Sequence, residues 1–142
     1  MPMIDIYATA GTFADTKKLL TDAAALVKTV EQVPDIPMFR RNTAAFVHDM
    51  PAGAISNVDG EGAYVRVQVL TNAGALDREK QITLVEQMTD LIAAAARDPE
   101  LKKRTWVLLT EAAPGGWGLW GHAHTNEELV TAARADIGRL RS

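Results

Sequence analysis

Cysteine is absent from the 142 residues, so disulfides, thiolate nucleophiles and thiolate metal sites are excluded. Aromatic residues are scarce, at 6% of the chain, and each tryptophan therefore asks for a reason. Positive charge is in short supply too. Fifteen Lys and Arg against eighteen Asp and Glu leave a net charge of −3, and no basic stripe is present to suit a nucleic acid. No run approaches the roughly 20 apolar residues of a membrane-spanning helix. The first residues lack the basic and apolar regions of a signal peptide. A soluble, cytoplasmic protein with neither nucleic-acid nor membrane partners is expected. With 47% apolar and 23% charged residues, the composition is globular, and the length suits one domain over 1–142.

What is present is strongly patterned. Met3-Ile4-Asp5-Ile6-Tyr7 alternates as a strand does, with Pro2, Ile4 and Ile6 on one parity. Proline is tolerated at a strand's first residue, where no ladder donor is needed. Ala10-Gly11-Thr12 turns the chain, and Thr12 with Asp15 reads as a capping pair for a helix carrying Leu20, Ala23, Val27 and Val30 on its apolar face. The prolines of VPDIP end that helix. Thr43 to His48 is a second strand, followed by the turn-rich PAGAISNVDGEG.

The order then begins again. Tyr64 to Leu70 alternates with Val65, Val67 and Val69 inward. A helix from about Leu76 to Ala96 follows, with Ile82, Val85, Met88 and Ile92 as its stripe, and then a strand, Thr105 to Thr110. Gly11 and Gly74, Tyr7 and Leu70, and Pro51 and Pro114 are each separated by 63 residues, which argues for an internal duplication. Repeat one spans about 1–58 and repeat two about 63–121. Thr125 and Glu128 then cap a last helix, about 125–141, with Leu129, Ala133, Ile137 and Leu140 on one face. Each β-α-β unit places two parallel strands about a crossover helix. The predicted fold is therefore α/β, two fused β-α-β units forming a four-stranded sheet with the helices on one face. An apolar, uncovered opposite face would point to an oligomer.

Pro2 directly behind Met, the duplication, and a strand ending in TE before the glycine and aromatic hairpin TEAAPGGWGLWG together resemble the tautomerase superfamily. The likeness is to 4-oxalocrotonate tautomerase, and at this length to the fused branch with cis-3-chloroacrylic acid dehalogenase and malonate semialdehyde decarboxylase. It covers the chain through about Gly121 and leaves the last helix outside. The resemblance implies a homotrimer whose catalytic base is the amino-terminal proline, Pro2, once the initiator Met is removed. Chemistry supports such a role, because an α-amine titrates at roughly 7.7–8 in water and burial lowers that value. At offset 63 Pro2 falls opposite Val65, so only the first repeat offers an amine. The arginines that grip a carboxylate in this family would fall at Thr12 or Ala75, and at Trp106 or Ala44. None is an arginine, which argues against a dicarboxylate substrate. The acid and arginine set of the dehalogenases would fall at Leu119, Asn72 and Ala75, so dehalogenation is not expected.

Arg40 and Arg41, just before the second strand, can substitute as a carboxylate clamp, since guanidinium binds carboxylate bidentately. They equally suit a solvated loop. Arg66 faces away from the first-half core, where structural pairing suits it better than lining an oligomer face. Trp117 falls where the resemblance implies an aromatic wall beside the proline, and both it and Trp120 would also serve as interface anchors. Trp106, on a strand, is expected in the core. His48 can relay a proton or pack structurally. His122 and His124 have the spacing of two ligands on an extended segment, with no third ligand tied to them. Neither a metal nor a cofactor is expected. The expected activity is keto–enol tautomerisation of a small 2-oxo or enol carboxylate. Hydration or decarboxylation of a 3-carbon acid by the same proline, or a non-catalytic trimeric scaffold, are the alternatives.

Overall fold

A computed structural model covers Met1–Ser142. Strand β1 (Met3–Thr9) leads through a turn into helix α1 (Thr16–Glu31) and a short helix, α2 (Pro37–Arg41), before β2 (Ala44–Met50). The second unit runs β3 (Val65–Thr71), α3 (Arg78–Ala96), a 3-10 turn over Pro99–Arg104, and β4 (Thr105–Glu111). A hairpin of β5 (Trp117–Leu119) and β6 (His122–His124) and the helix α4 (Asn126–Arg141) complete the chain. The main sheet is ordered β2-β1-β3-β4. Each β-α-β unit pairs its own strands in parallel, and the two units meet along antiparallel β1 and β3.

The period-2 pattern decides which face is which. Ile4, Ile6, Val65, Val67 and Val69 are fully buried against Leu19, Ala23 and Val27 of α1 and Leu84, Met88 and Ile92 of α3. Each large side chain so buried contributes about 1.5–3 kcal/mol. The expected faces need two corrections. On α1 the innermost leucine is Leu19, with Leu20 half-buried. On α3 the stripe runs through Leu84, whereas Ile82 is exposed and Val85 only half-buried. In both cases tandem apolar residues left the phase of the helix open, and sheet contact selects one.

Capping also differs from the expectation at one end. The Thr12 hydroxyl donates to the Thr9 carbonyl within the turn, and Asp15 alone caps α1, accepting from the Lys18 amide. The Thr125–Glu128 capping box of α4 forms as expected, with both reciprocal bonds. Gly11 and Gly74, at φ +90° and +72°, turn the chain after β1 and β3 in a backbone region that favours glycine. Trp120 and Gly121 both have positive φ between β5 and β6, as a two-residue hairpin turn of right-handed twist requires.

The opposite sheet face carries Phe46, Trp106 and Leu108 at 49, 42 and 44% exposure. Trp106 is therefore not a core residue. It lies on the outward parity of β4, stacked on Tyr64 with ring centroids 4.5 Å apart, while Val107 and Leu109 turn inward. Arg66 lies on the same face, 5.4 Å from the centre of the Tyr7 ring.

Candidate active site

The antiparallel register of β1 and β3 places Met3 opposite Leu70, so the amino terminus emerges beside Thr71 and Asn72. Pro2 is fully buried, and its carbonyl accepts from the Ala44 amide at 3.2 Å, tying the start of the chain to β2. Met1 is 2% exposed, in a second apolar cluster with Ile36, Met38, Trp117, Leu129 and Ala133. The cluster is assembled by α4, which the sequence analysis left outside the family resemblance. Three anchors hold that helix across the chain end. Its capping box fixes the entry, Asn126 donates to the Ala73 carbonyl at 2.8 Å, and Asp136 accepts from the Met38 amide at 3.1 Å.

Between α4, the end of α1 and the loop after β3 lies a cavity of about 430 Å³, with Met1, Glu31, Phe39, Asn72, Leu129 and Arg134 among its walls. The α-amino group of Met1 lies 3.6 Å from Glu31 Oε1, just too far for a hydrogen bond. Oε1 is left with no hydrogen-bond partner, as is Asn72 Nδ2. Glu31 is itself 6% exposed, and the Lys80 ammonium donates to its backbone carbonyl at 3.2 Å. Burial sets both titrations. It lowers the α-amine below its usual 8.0, against the pull of Glu31. It pushes the Glu31 carboxyl above its usual 4.5, against the opposing fields of the amine and Lys80. Desolvation thus outweighs pairing on both sides.

Of the residues singled out in the sequence, Trp117 and the chain end share this cluster. The others lie elsewhere in the protomer. Arg40 lies on α2 and is bonded at 2.8 Å to Asp35, whose carboxyl is held down to about 2 by Lys28 and Arg40. Arg41 lines a separate surface cleft with Trp120 and Asp136. His48 is on the open sheet face, 2.6 Å from Asp5 and stacked on Tyr7 at 4.3 Å. Pro2, Ile4 and Ile6 share the opposite parity. His122 pairs with Glu128, and His124 Nδ1 lies 3.3 Å from the Trp117 carbonyl.

Glu31 and Arg134 were not singled out in the sequence, and Asn72 only as a position where the resemblance would set a dehalogenase arginine. Glu31 carried a legible signal: Leu19, Ala23, Val27 and Glu31 follow one another at intervals of four, so a carboxylate continues the buried stripe. It also ends its helix, where the macrodipole disfavours an anion. Arg134 had no such signal, since its place depends on where α4 docks.

A second cavity, of about 730 Å³, occupies the matching position in the other repeat, lined by Thr9, Thr12, Val65, Asp98, Leu101 and Arg104. At offset 63 its Val65 replaces Pro2, and its Arg104 is bonded to Asp98 at 2.8 Å. Duplication has built two cavities and put a chain terminus in one.

No known family model matches the sequence, and no curated protein of similar sequence is found. Solved structures do resemble the fold. A fused 4-OT in a symmetric trimer superposes with a TM-score of 0.72 at 18% identity, over 89% of this chain and 98% of that one. A member of the cis-3-chloroacrylic acid dehalogenase family gives 0.71 at 18% identity, over 92% and 90%. Malonate semialdehyde decarboxylase gives 0.67 at 17% identity, over 92% and 98%. The chain has the two-repeat fold of these solved structures, with helix α4 lying across its amino terminus.

Proposed function

We propose that this chain is an amino-terminal-proline enzyme that interconverts the keto and enol forms of a small 2-oxo or enol carboxylate. One observation carries the reading: Met1, directly ahead of Pro2, is buried at the wall of an apolar cavity, and burial lowers the pKa of its α-amine. With Met1 removed, the Pro2 nitrogen becomes that amine. The pyrrolidine ring fixes its direction, and a base within hydrogen-bond reach of a C–H beside a carbonyl can move that proton. Phe39 and Leu129 supply apolar wall, with Trp117 packed in the adjoining cluster, and Arg134 on α4 supplies the cation lining the cavity. Arg134 takes the clamp role in preference to Arg40 and Arg41, because Arg40 is engaged by Asp35 and neither lines this cavity within the protomer. His48 has no part in this assignment.

The reading is tested by following loss of the enol of an aryl-substituted 2-oxo acid with untagged protein whose mass shows Met1 removed. Acceleration well above the buffer rate is expected; a rate equal to buffer contradicts it. Arg134→Ala should raise KM about tenfold for the carboxylate, as loss of one exposed charge-assisted contact of 1–2 kcal/mol would, and leave kcat nearly unchanged. An unchanged KM removes Arg134 from the assignment.

We further propose that the protein is a homotrimer joined through the open sheet face. The exposed Phe46, Trp106 and Leu108 support this, as does the trimer of the fused 4-OT. Leu108→Glu should break the assembly to monomers by light scattering, because a carboxylate would be desolvated without a partner. A trimer that survives this change assembles through another surface.

A further inference from the structure

Resting on the proline-base reading, we infer that Glu31 is its acid partner: the carboxyl gives a proton to the substrate carbonyl oxygen as Pro2 takes one from the adjacent carbon. The placement is the evidence. Glu31 ends α1 on the buried stripe, lines the cavity, and holds Oε1 3.6 Å from the Met1 nitrogen, in ion-pair range but with no hydrogen-bond partner, a contact that goes when Met1 is removed. A buried oxygen without a partner is rare in a folded protein, and an incoming carbonyl or enol would complete it. Removing one residue moves the terminal nitrogen back along the chain by about one Cα step of 3.8 Å, which leaves room for the substrate carbonyl between the two groups.

The proton count closes without any other reagent. In enolisation a C–H bond breaks and its proton goes to the Pro2 nitrogen. The carbonyl oxygen gains the proton of the Glu31 carboxyl, leaving ammonium facing carboxylate. When the enol departs, the ammonium returns its proton to the carboxylate and the neutral pair is restored. Ketonisation runs the same cycle in reverse. The charged groups facing Glu31 are the terminal amine from β1's lead-in and Lys80 from α3, with Arg134 of α4 on the same cavity. Burial raises the carboxyl's pKa against the fields of the first two. Asn72 Nδ2, the other unpartnered group, is a donor to the same oxygen.

A substrate class follows. Once Glu31 has given up its proton it is an anion that would repel a second carboxylate, so the site takes an oxo monocarboxylate, its acid group toward Arg134 and its carbonyl toward Glu31 and Asn72.

The test compares Met-free wild type with Glu31→Gln, which keeps size and hydrogen bonding without a transferable proton, and with Glu31→Asp. Proline labelled with ¹⁵N reports the Pro2 titration directly, independent of any substrate. Glu31→Gln should lower the Pro2 pKa by about 1 unit, since the amine loses a group able to become its counter-ion. It should also lower kcat about 100-fold with little change in KM, and Glu31→Asp should restore part of it. A Pro2 titration that does not move in Glu31→Gln overturns the pairing whatever the activity. An unchanged kcat overturns the acid role even where Pro2→Ala is inactive. If Pro2→Ala matches wild type, the proline reading fails, and the titration still decides whether Glu31 and Pro2 are paired.

Discussion

A chain that keeps Met1 is expected to have lost turnover by about 10²–10⁴-fold, the full contribution of a positioned base, while being the more stable form. Acylation turns the Pro2 nitrogen into an amide, which neither accepts a proton nor attacks a carbonyl. Met1 also fills the space a substrate would need, since it lines the cavity and is 2% exposed within the cluster built by α4. The same burial stabilises the fold. A buried methionine side chain contributes about 1.5–3 kcal/mol, and its loss on processing leaves Leu129, Ala133 and Met38 facing a larger cavity. Protein produced with methionine aminopeptidase inhibited should therefore unfold at higher denaturant than processed protein, and catalyse far less. Equal activity of the two forms, each verified by intact mass, would contradict the role given to the terminal amine.

Pro2→Ala in the processed chain should lower kcat by about 100-fold, which is less than acylation because an amine remains. Alanine offers a primary amine whose direction is no longer fixed by a ring, and misplacement by about 1 Å is enough for such a loss. The substitution also deletes ring carbons from a fully buried position. Water then reaches the nitrogen, its pKa rises toward the ordinary α-amine value, and less of it is free base at neutral pH. The rate of Pro2→Ala should accordingly keep rising to higher pH than that of wild type. A flat comparison, with the same kcat and the same pH profile, would mean that the ring does nothing.

The sheet was legible because alternation carries it. Ile4 and Ile6, and Val65, Val67 and Val69, announce both central strands and their inward parity, and the 63-residue interval announces the second unit. Helix phase was less legible wherever apolar residues come in tandem, as at Leu19-Leu20, where periodicity admits two solutions and only contact with the sheet chooses. Trp106 was misplaced for a related reason. A large aromatic on a strand suggests burial, yet its parity follows from Val107 and Leu109, and those point it outward. The candidate site was less legible. Pro2 behind Met1 and Trp117 in the hairpin could be singled out, and the structure gathers Met1 and Trp117 into one cluster. Glu31 could have been found, because a carboxylate in the stripe Leu19, Ala23, Val27 conflicts with burial and with the helix dipole. Arg134 could not, and Asn72 was reached only as the position of a dehalogenase arginine. Both become wall residues through the docking of α4, set by the distant pairs Asn126–Ala73 and Asp136–Met38.

The central claim is that the Pro2 nitrogen is a neutral, accessible amine in a substrate-shaped cavity, and one labelling experiment reaches it directly. An alkynyl 2-oxo acid is added to processed protein at neutral pH, and the adduct is located by peptide mass. A neutral secondary amine adds through its lone pair to the β-carbon of the alkyne and passes its proton to the adjacent carbon, whereas an ammonium or amide nitrogen does not react. One adduct per chain on Pro2, formed in step with loss of turnover and blocked by a slow 2-oxo acid substrate, is the predicted result. Label on lysines alone, with Pro2 free and unmodified, would contradict the account.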